Sequence, residues 1–261
     1  MSRSNKDKAE INATPSDADV PAFDLNMQDA APKALTTAPE TSKLGPSNES
    51  KTNKVIDDTN TDTSTCYILP MQDAHVEYYP NWLSSKHASH LMQYFIDKLA
   101  WYQPSVKLYG KEMKIPRLQA WYGDLDTEYS YSNHTMQPLQ WDSRLFKLKQ
   151  ACEAKCQHSF NSVLANYYRH GNDSMGMHAD DEPELGLQAV IASVSLGQAR
   201  RFTFKHIHTK ESQRIQLEHG SLLVMKGSTQ QFWQHGINKS KTQLGPRLNF
   251  TFRQVIPSHS R

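Results

Sequence analysis

Cysteine is scarce in this sequence, which has three cysteine residues among 261. Three thiols are too few for the dense disulfide framework that holds small secreted domains together. Cys152 and Cys156 are one helical turn apart, as a metal-binding or redox pair would be, but no second pair accompanies them. We therefore interpret them as part of a helix face.

Long hydrophobic runs are also missing. The longest apolar stretches, such as residues 221–225, are far shorter than the roughly 20 residues that a helix needs to span a bilayer. Residues 1–8 are polar and no apolar run follows them, so no secretory signal is visible. We expect a soluble intracellular protein without a membrane partner, located in the cytoplasm or, in a eukaryote, the nucleus.

Acidic and basic residues nearly cancel over the chain, at a formal net charge of +2, but they are unevenly distributed. Residues 1–65 carry 7 Lys and Arg against 11 Asp and Glu, and Phe23 is their one aromatic residue. So little apolar surface cannot offset the entropy of ordering the chain, and we predict a disordered acidic tail. Residues 66–261 hold all five tryptophans and 22 Lys and Arg against 16 Asp and Glu, which predicts one basic folded domain. Such an excess suits a polyanionic partner, and it is just as typical of ordinary solvated surface.

Hydrophobic periodicity predicts an α+β domain that is mainly β. Helical stripes favour one helix over 82–101, with Ser84 or Ser85 as N-cap, and a second over 143–160. Residues 108–115 contain a central glycine and predict a β-hairpin. Short strands are predicted at 66–69, 75–79, 119–122, 162–168, 189–196, 201–206, 214–217, 221–225, 229–233 and 247–255. This order favours a β-sandwich or barrel with the helices packed outside it.

The last predicted strand alternates between apolar and polar residues. Its apolar face consists of Leu248, Phe250 and Phe252, and its polar face of Arg247, Asn249, Thr251 and Arg253. One interpretation is an edge strand whose polar face lies in water. In the other, the apolar face packs on the helices and the arginines point into a barrel, where they need an anion such as a carboxylate. The pattern alone does not choose between the two.

Two histidines and an aspartate form a candidate metal site. His178-Ala-Asp180 follows the strand predicted at 162–168, and His235 follows the one predicted at 229–233. Two imidazoles and a carboxylate are the ligands of non-heme Fe(II) oxygenases, which leave positions open for co-substrate and O₂. Among 12 histidines a His-x-Asp also arises by chance, and in an exposed turn it would bind nothing. The arginine-bearing strand, which begins twelve residues after His235, favours the metal site.

Longer strings accompany these residues. They are Asn166-x-Tyr168, Ile191-Ala-Ser-Val-Ser-Leu-Gly197, His219-Gly-Ser-Leu-Leu223 and Pro246-Arg-Leu-Asn-Phe-Thr-Phe-Arg253. Together with His178-x-Asp180 and His235, they resemble the signature of the AlkB family of Fe(II)- and 2-oxoglutarate-dependent nucleic-acid dealkylating dioxygenases, in particular the animal DNA-repair homologues. The resemblance runs from about residue 108 to residue 255. It implies a double-stranded β-helix (jelly-roll) core with flanking helices.

The resemblance also implies roles for individual residues. The catalytic iron ligands would be His178, Asp180 and His235. The residues of the 2-oxoglutarate pocket would be Asn166, Tyr168, Arg247, Asn249, Thr251 and Arg253. Arg247 would pair with the distal carboxylate and Tyr168 would hydrogen-bond it, which places the arginines of the last strand inside the barrel. With Fe(II), 2-oxoglutarate and O₂, the enzyme would hydroxylate a methyl group on a base nitrogen and release formaldehyde, succinate and CO₂.

The implied substrate contacts lie mainly in a nucleotide-recognition region at about 105–135. The candidates are Tyr109, Gly110, Arg117, Tyr129, Tyr131 and Glu182. Chemistry on a base edge requires a base that is flipped out or single-stranded. Tyr129 and Tyr131 would stack on it, Tyr109 would fill the gap it leaves, and Glu182 would favour a cationic base such as 1-methyladenine or 3-methylcytosine. The two tyrosines are also consistent with packing, and Tyr109 with a hairpin tip.

We therefore predict an oxidative DNA demethylase that acts as a monomer on single- or double-stranded DNA in the repair of alkylation damage. The lysines and arginines that would form a phosphate-binding rim are residues 107, 111, 114, 117, 200, 201, 205, 239 and 241. Three alternatives stay open: the same chemistry on RNA, a 2-oxoglutarate oxygenase with a protein substrate, and a catalytically silent jelly-roll binding module. The aromatic residues of the recognition region argue against a protein substrate, and the intact ligand set argues against a silent module.

Overall fold

The computed structural model describes residues 65–256 except residues 109, 126, 128, 132, 133 and 137. For residues 107, 108, 129–131 and 134–136 it describes the backbone alone. The predicted acidic tail lies outside the described residues, apart from its last residue. Within the described part of the chain, no helix combines the length and the apolar character that crossing a membrane requires. All three cysteines lie in this part and form no disulfide bond with one another.

Strands predominate along the described chain, as the periodicity predicts. In chain order the elements are β1 (Tyr67–Ile68), β2 (His75–Tyr79), α1 (Ser85–Lys98), β3 (Ser105–Leu108), β4 (Lys111–Lys114), β5 (Leu118–Gly123), β6 (Tyr129–Tyr131), β7 (His134–Met136), α2 (Ser143–Cys156), β8 (Ser162–Tyr168), β9 (Met175–His178), β10 (Ile191–Gly197), β11 (Arg200–His206), β12 (Ser212–Leu217), β13 (Ser221–Lys226), α3 (Thr229–Phe232), β14 (Trp233–Ile237) and β15 (Arg247–Arg253). A short 3₁₀ turn, Pro183–Leu185, lies between β9 and β10.

Two antiparallel sheets form the core and confirm the predicted mainly β class. The larger sheet has the strand order β1-β2-β13-β10-β15-β8-β5, and the smaller has the order β12-β11-β14-β9. Apolar residues of both sheets, among them Val76, Phe204 and Trp233, pack together in an inner core. The hairpins β3–β4 and β6–β7 pair separately from the two sheets.

Strand β15 is an interior strand of the larger sheet, because β10 and β8 pair with its two sides. Its Leu248, Phe250 and Phe252 are fully buried in an outer core with Phe95 of α1 and Leu148 of α2. The ring centroids of Phe95 and Phe250 are 4.8 Å apart. The apolar face of β15 therefore packs on the helices, and its polar face turns toward the smaller sheet. The edge-strand interpretation is wrong.

Caps fix the helix ends inside the predicted ranges. Ser84 precedes α1, and its Oγ accepts a hydrogen bond from the His87 backbone N–H at 3.3 Å. Asp142 caps α2 in the same way through Oδ1. Gln157 ends α2 in the left-handed conformation, at φ +51°. The predicted end of the second helix at residue 160 is therefore too far along the chain.

The strand predicted at 229–233 is wrong. Gly227, at φ +58°, follows β13, and the chain then forms the short helix α3 before β14 begins at Trp233. The β-branched and aromatic residues that suggest a strand there are used for packing, since Thr229 and Trp233 are buried. His235 consequently lies within a strand. Its neighbour β9 escapes prediction because it is short and contains Gly176, which weakens a strand signal.

Replacing Phe250 with alanine tests the outward packing of β15. We expect the free energy of unfolding to fall by about 3–5 kcal/mol, the usual loss for a buried phenylalanine. Urea denaturation measures this loss. The control is Phe146→Ala, at a residue that is 39% exposed, where the loss should stay below about 1 kcal/mol. Equal losses in the two variants would contradict the packing described here.

Candidate active site

A cavity lies between the two sheets. Its polar lining residues are Asn166, Tyr168, His178, Asp180, Ser193, His235, Asn249, Thr251 and Arg253. Its apolar wall includes Leu164, Met175, Phe202 and Met225. The fold thus brings to one place the residues that the sequence predicts as iron and 2-oxoglutarate ligands, with Arg247 beside Tyr168.

His178, Asp180 and His235 meet at this cavity. His178 ends β9 and pairs with His235 of β14, and their ring centroids are 4.4 Å apart. Nε2 of each histidine lies 3.8 Å from a carboxylate oxygen of Asp180. One donor atom from each of the three lies within 4.8 Å of the others. The cluster is compact enough for all three side chains to bind one metal ion.

Neighbouring groups orient the three side chains. Nδ1 of His178 donates a hydrogen bond to the Gly176 carbonyl oxygen at 2.9 Å, which leaves Nε2 as the lone-pair nitrogen of the neutral ring. The Phe202 ring stacks on His235 at a centroid distance of 5.3 Å. Arg253 Nη2 donates to Asp180 Oδ1 at 2.6 Å, whereas Oδ2 is buried without a hydrogen-bond partner among the described residues. One carboxylate oxygen is held by the arginine and the other is available to a cation.

Burial sets the charge state of the cluster. It lowers the pKa of His178 and lowers the pKa of His235 to about 3, so both imidazoles are neutral at neutral pH. Burial also raises the pKa of the Asp180 carboxyl, but the charge of Arg253 and the neighbouring imidazoles more than offset this, and that pKa lies below its ordinary value. Two neutral imidazoles and one carboxylate suit a divalent transition metal.

Arg247 is a fully buried cation with unused hydrogen-bonding capacity. Its Nη2 donates to Ser195 Oγ at 2.9 Å, and its Nε and Nη1 have no hydrogen-bond partner within the described part of the chain. Its Cζ lies 5.2 Å from the centre of the Tyr168 ring. Burial, together with the charge of Arg200 and against the effect of Tyr168, lowers the pKa of Arg247 to about 10, so it is charged at neutral pH. A buried guanidinium of this kind is a site for an anion, and a carboxylate matches its donors.

Asn166 belongs to a second polar group on the larger sheet. It pairs with Asn249 across the β8–β15 ladder. Arg117 Nε donates to Asn166 Oδ1 at 2.8 Å, and its Nη1 donates to the Ser174 carbonyl oxygen at 3.3 Å. Since Arg117 is only 1% exposed, it orients the Asn166 amide from within the protein.

The predicted phosphate-binding rim includes two wrong members, Arg117 and Arg200, because both are buried. The side chain of Lys107 is outside the description. The remaining members are exposed, namely Lys111, Lys114, Arg201, Lys205, Lys239 and Lys241. The rim is therefore smaller than the sequence predicts.

Glu182 lies between Asp180 and the 3₁₀ turn. Its Oε2 is buried and has no hydrogen-bond partner among the residues that the structure describes. Burial and the neighbouring charge of Asp180 raise the pKa of Glu182 to about 7. The predicted substrate contact is thus a carboxyl group next to the candidate metal ligands.

The region predicted at about 105–135 to recognise the nucleotide contains both hairpins, and β3–β4 confirms the hairpin predicted at 108–115. Gly110 lies in the turn of β3–β4 at φ +77°, in open space. Tyr109 lies outside the described residues. Tyr129 and Tyr131 belong to β6, opposite Met136 and His134, and their side chains also lie outside the description.

Three residues that were given no predicted role complete the site. Ser193 Oγ accepts a hydrogen bond from Asn249 Nδ2 at 3.0 Å, and Ser195 Oγ accepts the one from Arg247. Strand alternation puts both serines on one face of β10, and that signal could have found them. Gln230 Oε1 accepts a hydrogen bond from the Asp180 backbone N–H at 3.0 Å. No local sequence pattern predicts this contact.

Comparisons with known proteins agree with this geometry. Residues 75–253 match the model of the 2OG-Fe(II) oxygenase superfamily. The chain is 38% identical over 200 residues to alpha-ketoglutarate-dependent dioxygenase alkB homolog 3 of Mus musculus. The aligned region covers 73% of this chain and 69% of that relative. It is 39% identical over 178 residues to DNA oxidative demethylase ALKBH2 of Bos taurus, covering 65% of this chain and 63% of that relative.

A solved structure supports the fold. The structure of OsALKBH1 aligns with a TM-score of 0.54 at 18% identity, and the match covers 72% of this chain and 100% of that one. The superfamily match implies Fe(II), 2-oxoglutarate and O₂, and the neutral imidazoles, the available Asp180 oxygen and the buried Arg247 suit these groups. The chain belongs to the AlkB family within the 2OG-Fe(II) oxygenase superfamily, and it is an iron- and 2-oxoglutarate-dependent dioxygenase.

Proposed function

We propose that this dioxygenase removes methyl groups from alkylated bases in DNA, such as 1-methyladenine and 3-methylcytosine, and so repairs alkylation damage. The observation that carries the proposal is one cavity lined by His178, Asp180 and His235 and by Tyr168, whose ring lies beside the buried cation of Arg247. Support for the substrate class comes from the relatives, one of which is named a DNA oxidative demethylase. The methylated base, 2-oxoglutarate and O₂ give the unmodified base, formaldehyde, succinate and CO₂.

His178, Asp180 and His235 bind the iron in this proposal and are its catalytic residues. Bound Fe(II) supplies the oxidative chemistry that joins O₂ to 2-oxoglutarate and to the methyl carbon. Three protein donors leave coordination positions open for exchangeable ligands. Arg253, 2.6 Å from Asp180 Oδ1, keeps the carboxylate ionised and oriented. The Gly176 carbonyl group orients His178 and fixes its tautomer by accepting a hydrogen bond from Nδ1.

Arg247 binds the distal carboxylate of 2-oxoglutarate, and the Tyr168 hydroxyl group donates a hydrogen bond to it. Asn249 and Thr251 follow Arg247 at alternate positions of β15 and line the same cavity, as do Asn166 and Arg253. Arg117 contributes by orienting Asn166 through the hydrogen bond from its buried guanidinium. Its contact with the base stays a prediction.

The methylated base is proposed to contact Glu182 and the recognition region. A methyl group on N1 of adenine or N3 of cytosine gives the base a positive charge, which a carboxylate at Glu182 stabilises. Tyr129 and Tyr131 are proposed to stack on the base, and Tyr109 and Gly110 to contact the strand it leaves. These residues belong to one catalytic domain over 66–261, with nucleotide recognition at about 105–135.

The exposed basic residues are proposed to bind the DNA backbone. Arg201 and Lys205 lie on the exposed face of β11, and Lys111 and Lys114 lie on β4. Phosphate contacts of this kind do not read base sequence, and they suit single-stranded DNA, duplex DNA and RNA alike. Since all the proposed ligands come from one chain, a monomer suffices for activity.

The metal assignment predicts a spectroscopic change. Anaerobic addition of Fe(II) and 2-oxoglutarate to the full chain should give a weak visible charge-transfer band. His178→Ala should abolish the band because it removes one of the three metal donors. The matched control His208→Ala, at an exposed histidine outside the cavity, should leave it unchanged. A band that survives in the His178 variant would remove this residue from the ligand set.

The substrate assignment is tested by an activity panel. Oligonucleotides that carry 1-methyladenine or 3-methylcytosine are supplied as single-stranded DNA, duplex DNA and RNA, with unmodified strands as controls. We expect loss of the methyl group from at least one DNA substrate, with one succinate formed for each base restored. Demethylation of RNA alone would reassign the substrate, and succinate formation without base repair would refute the proposal.

A further inference from the structure

Arg200 is a buried cation to which the proposed reaction assigns no role. It begins β11 and is 3% exposed, whereas the next residue, Arg201, lies on the exposed face. Its Nη2 donates hydrogen bonds to the carbonyl oxygens of Asp173, at 2.9 Å, and Asn238, at 2.8 Å. A weaker contact joins Nη1 to the His170 carbonyl oxygen at 3.5 Å. These carbonyl groups belong to the β8–β9 connection and to the segment after β14.

Among the residues that the structure describes, the positive charge of Arg200 has no carboxylate of its own. None of the ion pairs found among the described residues includes it. The nearby carboxylate of Asp173 is already held by Arg169, whose Nε and Nη2 donate to its two oxygens at 2.8 and 3.0 Å. Carbonyl dipoles solvate the Arg200 guanidinium without neutralising it. A buried charge in this state is costly unless an anion is bound nearby.

Tyr168 connects Arg200 to the co-substrate pocket. The Cζ atoms of Arg247 and Arg200 lie 5.2 and 5.8 Å from the centre of the Tyr168 ring. The two positive charges are close enough for Arg200 to lower the pKa of Arg247. Two buried guanidinium groups beside the same ring repel each other, and a carboxylate bound at Arg247 relieves this repulsion.

We infer that Arg200 is a positioning residue for the distal carboxylate of 2-oxoglutarate. It joins the β8–β9 connection to the end of β14, the strands that carry Tyr168, His178 and His235. It also places a second positive charge beside Tyr168, which favours a co-substrate with a carboxylate at its far end. This inference rests on the proposed function, in which Arg247 binds that carboxylate.

Isothermal titration calorimetry of the Mn(II)-loaded full chain separates this role from a packing role. The two ligands are 2-oxoglutarate and 2-oxopentanoate, in which a methyl group replaces the distal carboxylate. Arg200→Gln should raise the dissociation constant of 2-oxoglutarate about tenfold, the scale of a charge acting over several ångströms in partly buried surroundings, and leave that of 2-oxopentanoate unchanged. The control Arg214→Gln, on the exposed face of neighbouring β12, should change neither.

A second variant keeps the test decisive if Arg200→Gln fails to fold. Arg200→Lys retains the charge on a side chain that lacks the planar guanidinium donors, and we expect a loss of about threefold that is again confined to 2-oxoglutarate. Equal weakening of both ligands would reduce Arg200 to a packing residue, and no change in either variant would overturn the inference.

Arg247→Gln separates failure of the proposed co-substrate site from failure of the inference about Arg200. It should weaken 2-oxoglutarate by about 100-fold, because it removes a buried charge-assisted contact, and should spare 2-oxopentanoate. If it has no effect, the proposed co-substrate site is wrong. If it has this effect while the Arg200 variants bind both ligands normally, only the inference about Arg200 fails.

Discussion

The alternation of side chains along β15 is the constraint on which the rest of the site depends. Leu248, Phe250 and Phe252 are locked into the outer core with the two helices, so the strand cannot slip by one residue without burying its polar face there. The same packing places Arg247 and Arg253 between the sheets. Stability and function are thus coupled in one strand, since the apolar contacts that hold the domain together also hold two cations in its interior.

The two interior cations of β15 differ in their partners, and this difference separates the two parts of the site. Arg253 is paired with Asp180 and belongs to the metal cluster. Arg247 keeps unused donors beside Tyr168. The larger sheet supplies the residues proposed for 2-oxoglutarate, and the smaller sheet supplies His178 and His235. The cavity where the sheets face each other therefore lies between the proposed anion site and the candidate metal site.

The sequence predicts the fold where local pattern and packing agree. Alternation along residues 247–253 identifies the two faces of β15, but only the helices, which come much earlier in the chain, decide which face is covered. Local composition predicts the wrong element at 229–233, because Thr229 has β propensity but lies buried in the short helix α3, and the strand begins only at Trp233.

The site is predictable from sequence to a different degree for each kind of residue. Family motifs single out His178, Asp180, His235 and Arg247. The fold brings the first three together and places Arg247 beside Tyr168, which lines the same cavity as they do. Burial of an arginine cannot be read from its neighbours in sequence. Arg200 and Arg201 are adjacent residues of the same type. Arg200 is buried and donates hydrogen bonds to backbone carbonyl groups, whereas Arg201 is exposed. That is why a rim drawn from basic residues alone includes two interior ones.

We propose that the distal carboxylate of the co-substrate neutralises the buried charge of Arg247. A crystal structure of the full chain with Mn(II) and 2-oxoglutarate tests it most directly. We expect the distal carboxylate to accept hydrogen bonds from the Arg247 guanidinium and the Tyr168 hydroxyl group, within the usual range of about 2.7–3.0 Å. A co-substrate whose distal carboxylate lies elsewhere in the cavity, with Arg247 bound to water or to protein alone, would contradict it.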